Sequence, residues 1–165
     1  MVLDQSDGVI RSPKLGMPVY PTSYITLGVN KRPKSAPSSM AQTAALLFVL
    51  LSLLVGAFQV ALILGAPWGE FTMGGRWRNS LPPHARFIAV VSAALVGAMA
   101  VVITARAGLA YVPLQSWAPT LSWVVVGYCA LGTLANAVTP SRRERAAWLP
   151  VILCMLVLSI LVATS

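Results

Sequence analysis

Carboxylates are nearly missing from this chain. Of 165 residues only Asp4, Asp7, Glu70 and Glu144 are acidic, and charged residues of both signs amount to 10%, against about 25% in an ordinary soluble domain. A water-soluble fold of this composition would lack the polar surface to cover itself. Histidine occurs once, at His84, and no His, Cys, Asp or Glu cluster has metal-ligand spacing. No phosphate-cradling glycine loop precedes a basic helix either. No catalytic residue, cofactor or metal is therefore expected, and a membrane enzyme ranks third among the functional readings. Cys129 and Cys154 both fall inside apolar runs, which excludes a secreted disulfide framework and a CxxC redox pair.

What the chain does have is hydrocarbon, with 57% apolar residues and a mean hydropathy of +0.77. Four spans are predicted, at residues 43–65, 87–105, 120–138 and 148–163, each near the roughly 20 residues a bilayer crossing needs. The expected fold is an all-α membrane protein, a four-transmembrane-helix bundle in residues 41–165. Between Leu46 and Gly65 stand fourteen Leu, Ile, Val or Phe residues, worth about −4 to −8 kcal/mol of insertion free energy and enough to outweigh Gln59 and Ser52. That run exceeds the usual length of a signal-peptide core, and Pro67 would follow the one small-residue site, so it is read as a retained span. Arg86 and Arg106 bracket the second span about 30 Å apart along a helix, one at each headgroup layer. Pro119 suits the first turn of the third span, and Pro150 that of the fourth. Trp68, Trp77, Trp117, Trp123 and Trp148 all lie in loops or near span ends, where amphipathic rings prefer to sit. No span carries Asp, Glu, His, Lys or Arg away from its ends, which disfavours a proton-coupled carrier.

Twelve Lys or Arg residues give the chain a formal charge of +8. All of them lie in the tail, in loops or at span ends. That distribution predicts contact with the lipid bilayer and its anionic headgroups and offers no folded face for nucleic acid. Residues 1–40 are rich in Pro, Ser, Gly and basic side chains and read as a disordered basic tail, with short extended pieces at Val19-Tyr20 and Tyr24–Leu27. Met40 directly precedes the first apolar run, and it is expected to be the true start, with residues 1–39 an over-extended reading frame.

The stretch Gly65-Ala66-Pro67-Trp68-Gly69, then Gly74-Gly75-Arg76, Leu81-Pro82 and Arg86, resembles an uncharacterised family of small bacterial four-helix membrane proteins. Asn136 to Pro150, with Ser141-Arg142, Glu144-Arg145, Trp148 and Pro150, extends the resemblance to residues 44–163. It implies an inner-membrane bundle and brings no catalytic residues with it. Counting from Met40, Arg76, Arg78, Arg86, Arg142, Arg143 and Arg145 oppose Arg106 alone. This predicts that loops 66–86 and 139–147 share one side, the cytoplasmic one. With Lys31, Arg32 and Lys34 of the tail included, the asymmetry nearly vanishes.

Loop 66–86 is long for a connector, and loops of that length are often functional. Trp68, Glu70, Gly74, Gly75, Arg76 and Arg78 in it, and Arg142, Glu144 and Arg145 in the second loop, are the candidate interfacial contacts, with cross-loop ion pairing possible. Gln59 and Asn136, near span ends on the same side, are the candidate polar packing or ligand contacts. Small residues spaced by four, Ala61/Gly65, Ala93/Gly97 and Gly132/Asn136, are expected to let helices approach closely. The leading functional expectation is a non-enzymatic accessory or scaffold subunit in a homo- or hetero-oligomer with another membrane protein. The alternative is a component of a small-molecule transporter or channel, binding an uncharged or anionic solute near Gln59 and Asn136.

Overall fold

A peptide chain in hydrocarbon must close its own backbone hydrogen bonds, and a continuous apolar stretch does so as a helix. The computed structural model describes residues 10–11, 18–19, 38–110 and 113–165. It contains four such helices: α1 (Ser39–Ile63), α2 (Pro83–Arg106), α3 (Ala118–Val138) and α4 (Arg142–Ala163). At 21 to 25 residues, they are about 31–38 Å long. Each is long and apolar enough to cross a membrane, with α3 the least apolar. In the tail, β1 (Ile10–Arg11) pairs antiparallel with β2 (Pro18–Val19), Ile10 opposite Val19. The rest of the predicted disordered tail up to Pro37, including Tyr24–Leu27, lies outside the described residues.

Local chemistry sets the helix ends. Ser38 caps α1, its Oγ accepting from the Ala41 N–H at 3.2 Å. At the other end Gly65, with φ +96°, takes the left-handed conformation that lets the Ala66 N–H reach the Ala61 carbonyl and its own N–H reach Leu62. This six-to-one closure satisfies carbonyls that would otherwise be orphaned. Gly108 ends α2 in the same way. The largest departure from the predicted spans is in α4. It starts at Arg142, six residues before Trp148, because Ser141 accepts from the Glu144 N–H at 3.2 Å and nucleates the first turn. Pro150 is consequently inside the helix and not in its first turn. The carbonyl it leaves without a helical donor belongs to the exposed Ala146.

The bundle is sorted by side-chain size. Small residues face inward: Ala41, Ala44, Ala45 and Ser52 on α1, Ala85 and Ala89 on α2, Ser122 and Cys129 on α3, and Ser159 on α4. Phe48, Ile103, Val125, Met155 and Val162 fill the remaining space. Large aliphatics point out, Leu53 and Leu131 being 65% and 69% exposed. That exposure would be costly in water and costs nothing against lipid tails, where close packing and not apolar burial drives association. The buried serine hydroxyls are spent within their own helices, Ser52 Oγ donating to the Phe48 carbonyl and Ser159 Oγ to Leu156, both at 2.8 Å. α1 packs mainly on α2 and α3 on α4, with α1–α4 and α2–α3 contacts closing the ring.

Of the spaced glycines, Gly132 alone marks a close helix approach, since a Cβ there would meet Ile152 at 3.3 Å. Gly97 has nothing within 4 Å of such a Cβ, and Gly65 lies beyond the end of α1 beside the Arg86 guanidinium. At the end of the bundle where α2 and α4 finish, the Arg106 guanidinium donates to the Ala163 and Ser165 carbonyls and ties the two helix ends together.

Candidate functional site

The opposite end, where α1 and α3 finish and α2 and α4 begin, carries the chemistry. Residues 66–82 do not form an open loop there. They fold through two 3-10 turns, Gly69–Phe71 and Met73–Gly75, into a small cap. Gly69 permits the fold: its N–H donates to the Asn79 carbonyl at 3.0 Å. A Cβ at this position would lie 2.6 Å from the carbonyl oxygens of Asn79 and Trp77, a gap that only glycine fits. Leu81 is buried with Leu62, Ala85 and Ala89 under the cap, with Met73 and Trp77 packed over them.

Glu144 joins this cap to the second loop. Its Oε2 accepts from the Gly74 N–H at 2.7 Å and from the Thr139 hydroxyl at 2.9 Å. Gly74 can present its N–H because Met73, Gly74 and Gly75 all have positive φ (51°, 77° and 71°), which curls this stretch of backbone toward the carboxylate. Ser141 Oγ donates to the Glu70 carbonyl at 3.0 Å, so the residue that caps α4 also grips the first loop. Glu70 Oε1 pairs with the Arg143 guanidinium at 2.5 Å. Trp148 completes the join: its Nε1–H donates to the Phe71 carbonyl at 2.8 Å, and its ring lies 4.5 Å from that of Phe58, which in turn stacks on Trp68.

Beneath this junction the four helices part to leave a cleft of about 190 Å³. Its deeper walls are aliphatic, including Val55, Val96, Val151 and Met155. Nearer the cap it is lined by Phe58, Gln59, Phe71, Thr72, Asn136, Glu144 and Trp148, with Ser92 and Tyr128 on the α2–α3 side. Asn136 Nδ2 donates to the Gly132 carbonyl at 2.8 Å, and Ser92 Oγ to Ile88 at 2.9 Å. What these two side chains offer the cleft is therefore mainly lone pairs. Glu144 is the one charged residue in the lining.

Gln59 and Asn136 thus share the cleft, while Asn136 is bonded to its own helix. Glu70, Gly74, Gly75 and Glu144 meet in the junction. Trp68, Arg76, Arg78 and Arg142 are exposed on the cap, Arg76 lying over the Trp77 ring at 6.0 Å. Arg145 turns back to the Ala137 carbonyl at the end of α3. Sequence reasoning placed Glu144 among the interfacial loop contacts, whereas it also lines the interhelical cleft. The signal that locates it is the Ser141-x-x-Glu144 spacing, a helix N-terminus signature. Phe71 was expected at the headgroup boundary and instead lines the cleft, while Thr139 and Tyr128 were not singled out, and nothing in their spacing marks them. Among the described residues no group of three or more His, Cys, Asp or Glu is placed to hold a metal ion. Comparisons with protein-family models, curated proteins and solved structures found no match.

Proposed function

We propose that the protein is a non-enzymatic scaffold or accessory subunit of a membrane assembly, its bundle packing against another membrane protein and its cap meeting anionic headgroups. One observation carries this reading: the two basic loops are locked into a single body through Glu144, Ser141 and Trp148. Arg76, Arg78, Arg142 and Arg143 are all exposed on that body. Ordering about fifteen loop residues costs about 1–2 kcal/mol each in backbone entropy, and a preformed basic surface gives that ordering a use. The cytoplasmic leaflet, with its anionic lipids, and the arginine count, six to one when reckoned from Met40, favour a cytoplasmic cap. Gly74, Ser141, Glu144 and Trp148, which help to build the junction, are among the residues that carry the family resemblance. Chemical crosslinking in native membranes followed by mild extraction tests the reading. A crosslinked homo- or hetero-oligomer is expected, and a monodisperse monomer under every condition removes it.

The cleft favours a second reading, a component of a small-molecule transporter or channel. Its aliphatic floor and polar upper walls suit a small solute, although Glu144 in the lining argues against the anionic class. Solute flux into liposomes containing the purified protein is the test, with Gln59→Leu and Asn136→Leu expected to lower it; flux unchanged in both variants takes these residues out of the pathway.

A further inference from the structure

We infer that the cleft is a site for an ammonium group carried on an apolar body, with the Glu144 carboxylate as its counter-ion. This deepens the second reading above by naming a ligand class, and it requires binding without requiring transport. A carboxylate can accept about four hydrogen bonds. Glu144 receives two from the protein, both at Oε2, one from the cap through the Gly74 N–H and one from the second loop through the Thr139 hydroxyl. These hold the side chain in place and leave Oε1 without a donor from any described residue. No lysine or arginine lines the cleft, so a ligand there meets one negative charge and no protein cation.

The remaining lining matches the same chemistry. Asn136 and Ser92 direct donors into their own helices, while the neutral amide of Gln59 and the hydroxyls of Thr72 and Tyr128 can donate or accept, so Glu144 alone sets the sign of charge that the cleft favours. Phe58, Phe71, Tyr128 and Trp148 bring four aromatic side chains to the same cleft. An aromatic face attracts a cation through the ring quadrupole, and sites lined by several rings recognise ammonium ligands in preference to neutral ones of equal shape. From Glu144 to Met155 the lining descends about 16 Å along α4, ending among aliphatic side chains that suit the apolar body. The exposed arginines of the cap oppose approach of a cation from water. Tyr128, however, is 42% exposed while lining the cleft, so the cleft reaches the outer surface of the bundle on the α2–α3 side. Approach from the bilayer follows, and the ammonium belongs either to a lipid headgroup or to a free amphiphilic amine.

The test uses the full chain in detergent with benzyltrimethylammonium and its uncharged isostere neopentylbenzene, binding being read by calorimetry or ligand-observed NMR. The cation is expected to bind about tenfold more tightly than the isostere. Glu144→Gln, which keeps an acceptor for Gly74 and Thr139, is expected to erase that preference while helicity is retained and melting falls by only a few degrees. Tyr128→Leu, at the exposed wall, is expected to weaken cation binding at least threefold and guards against misfolding in the first variant. Native mass spectrometry from nanodiscs separates the two sources. Phosphatidylethanolamine retained over phosphatidylglycerol, and lost in Glu144→Gln, assigns the site to a lipid; benzyltrimethylammonium binding with no such retention assigns it to a free amine. Equal binding of cation and isostere, a preference that survives in Glu144→Gln, or binding of neither probe to folded protein overturns the inference. Cation binding without liposome flux leaves the site standing and removes only the transport reading.

Discussion

The Glu144 carboxylate and the Gly74 amide are separated by 70 positions in the chain and by 2.7 Å in space. Everything between them, α2, α3 and both turns of the bundle, must be in place before that bond forms. It therefore reports on the whole fold as well as on the cap. Glu144→Ala leaves the Gly74 N–H and the Thr139 hydroxyl without their acceptor. The expected loss is about 2–3 kcal/mol, since hydrogen bonds to a charged group contribute about 1.5–3 kcal/mol each and part of this is recovered by water. Glu144→Gln retains an acceptor and is expected to cost about 1 kcal/mol. Chemical denaturation in detergent, followed by circular dichroism, gives the ordering; an alanine variant as stable as the glutamine one would mean that the junction is not formed.

A pair of glycines separates sterics from composition. Gly69→Ala forces a methyl group to within 2.6 Å of two backbone carbonyl oxygens, atoms that cannot move without rebuilding the cap. A loss of about 2–3 kcal/mol is expected, at the upper end of what overpacking costs. Gly97→Ala meets nothing within 4 Å on α2 and is expected to be neutral or to stabilise by up to about 1 kcal/mol through helix propensity. Thermal melts of the two variants side by side check the contrast. Equal melting temperatures would contradict the cap geometry around Gly69.

The fold was legible in the sequence because one solvent constraint dominates it. A run such as Leu46 to Leu64 can only be a helix in hydrocarbon, and arginines bracketing residues 87–105 locate α2 within a few positions. The start of α4 was misread because its first two turns are polar. Apolar content marked Trp148 as the boundary, whereas the boundary is set by a hydroxyl cap at Ser141, a local hydrogen bond that hydropathy does not register. The cleft was only half legible. Gln59 and Asn136 stand out as amides among aliphatics, but Phe58, Phe71 and Tyr128 are ordinary membrane residues whose convergence depends on how the helices are rotated. The role of Glu144 was hidden for a related reason: its chemistry depends on a backbone N–H whose direction is fixed by three consecutive positive φ angles at Met73, Gly74 and Gly75.

The cross-loop ion pair is expected to contribute little. Arg143 and Glu70 are 68% and 30% exposed at their side chains, and pairs in such surroundings are worth about 0–1 kcal/mol and are screened by salt. Glu70→Gln should change stability by less than about 1 kcal/mol, and raising the salt concentration should shrink even that. A larger, salt-independent loss would show that Glu70 acts through something other than Arg143. The Glu70 main-chain carbonyl, bonded to Ser141, is untouched by the substitution, so the variant isolates the side chain.

Sidedness is the property on which the headgroup reading turns, and cysteine labelling measures it. On a background with Cys129 and Cys154 replaced, Arg78→Cys and Arg143→Cys put thiols at two exposed positions of the cap, and Gln115→Cys puts one on the exposed turn at the far end of the bundle. Because the two loops are hydrogen-bonded to each other, the first two thiols are expected to react from the same side and the third from the other. An impermeant reagent applied to spheroplasts should reach position 115 alone, with positions 78 and 143 reacting only after the membrane is opened. Labelling of 78 and 143 from the outside would retain the bundle but turn the arginine-rich cap away from the cytoplasmic leaflet, removing the electrostatic basis of the scaffold proposal. Labelling of 78 and 143 from opposite sides would break the fold itself, since the Gly74–Glu144 bond cannot form across a bilayer.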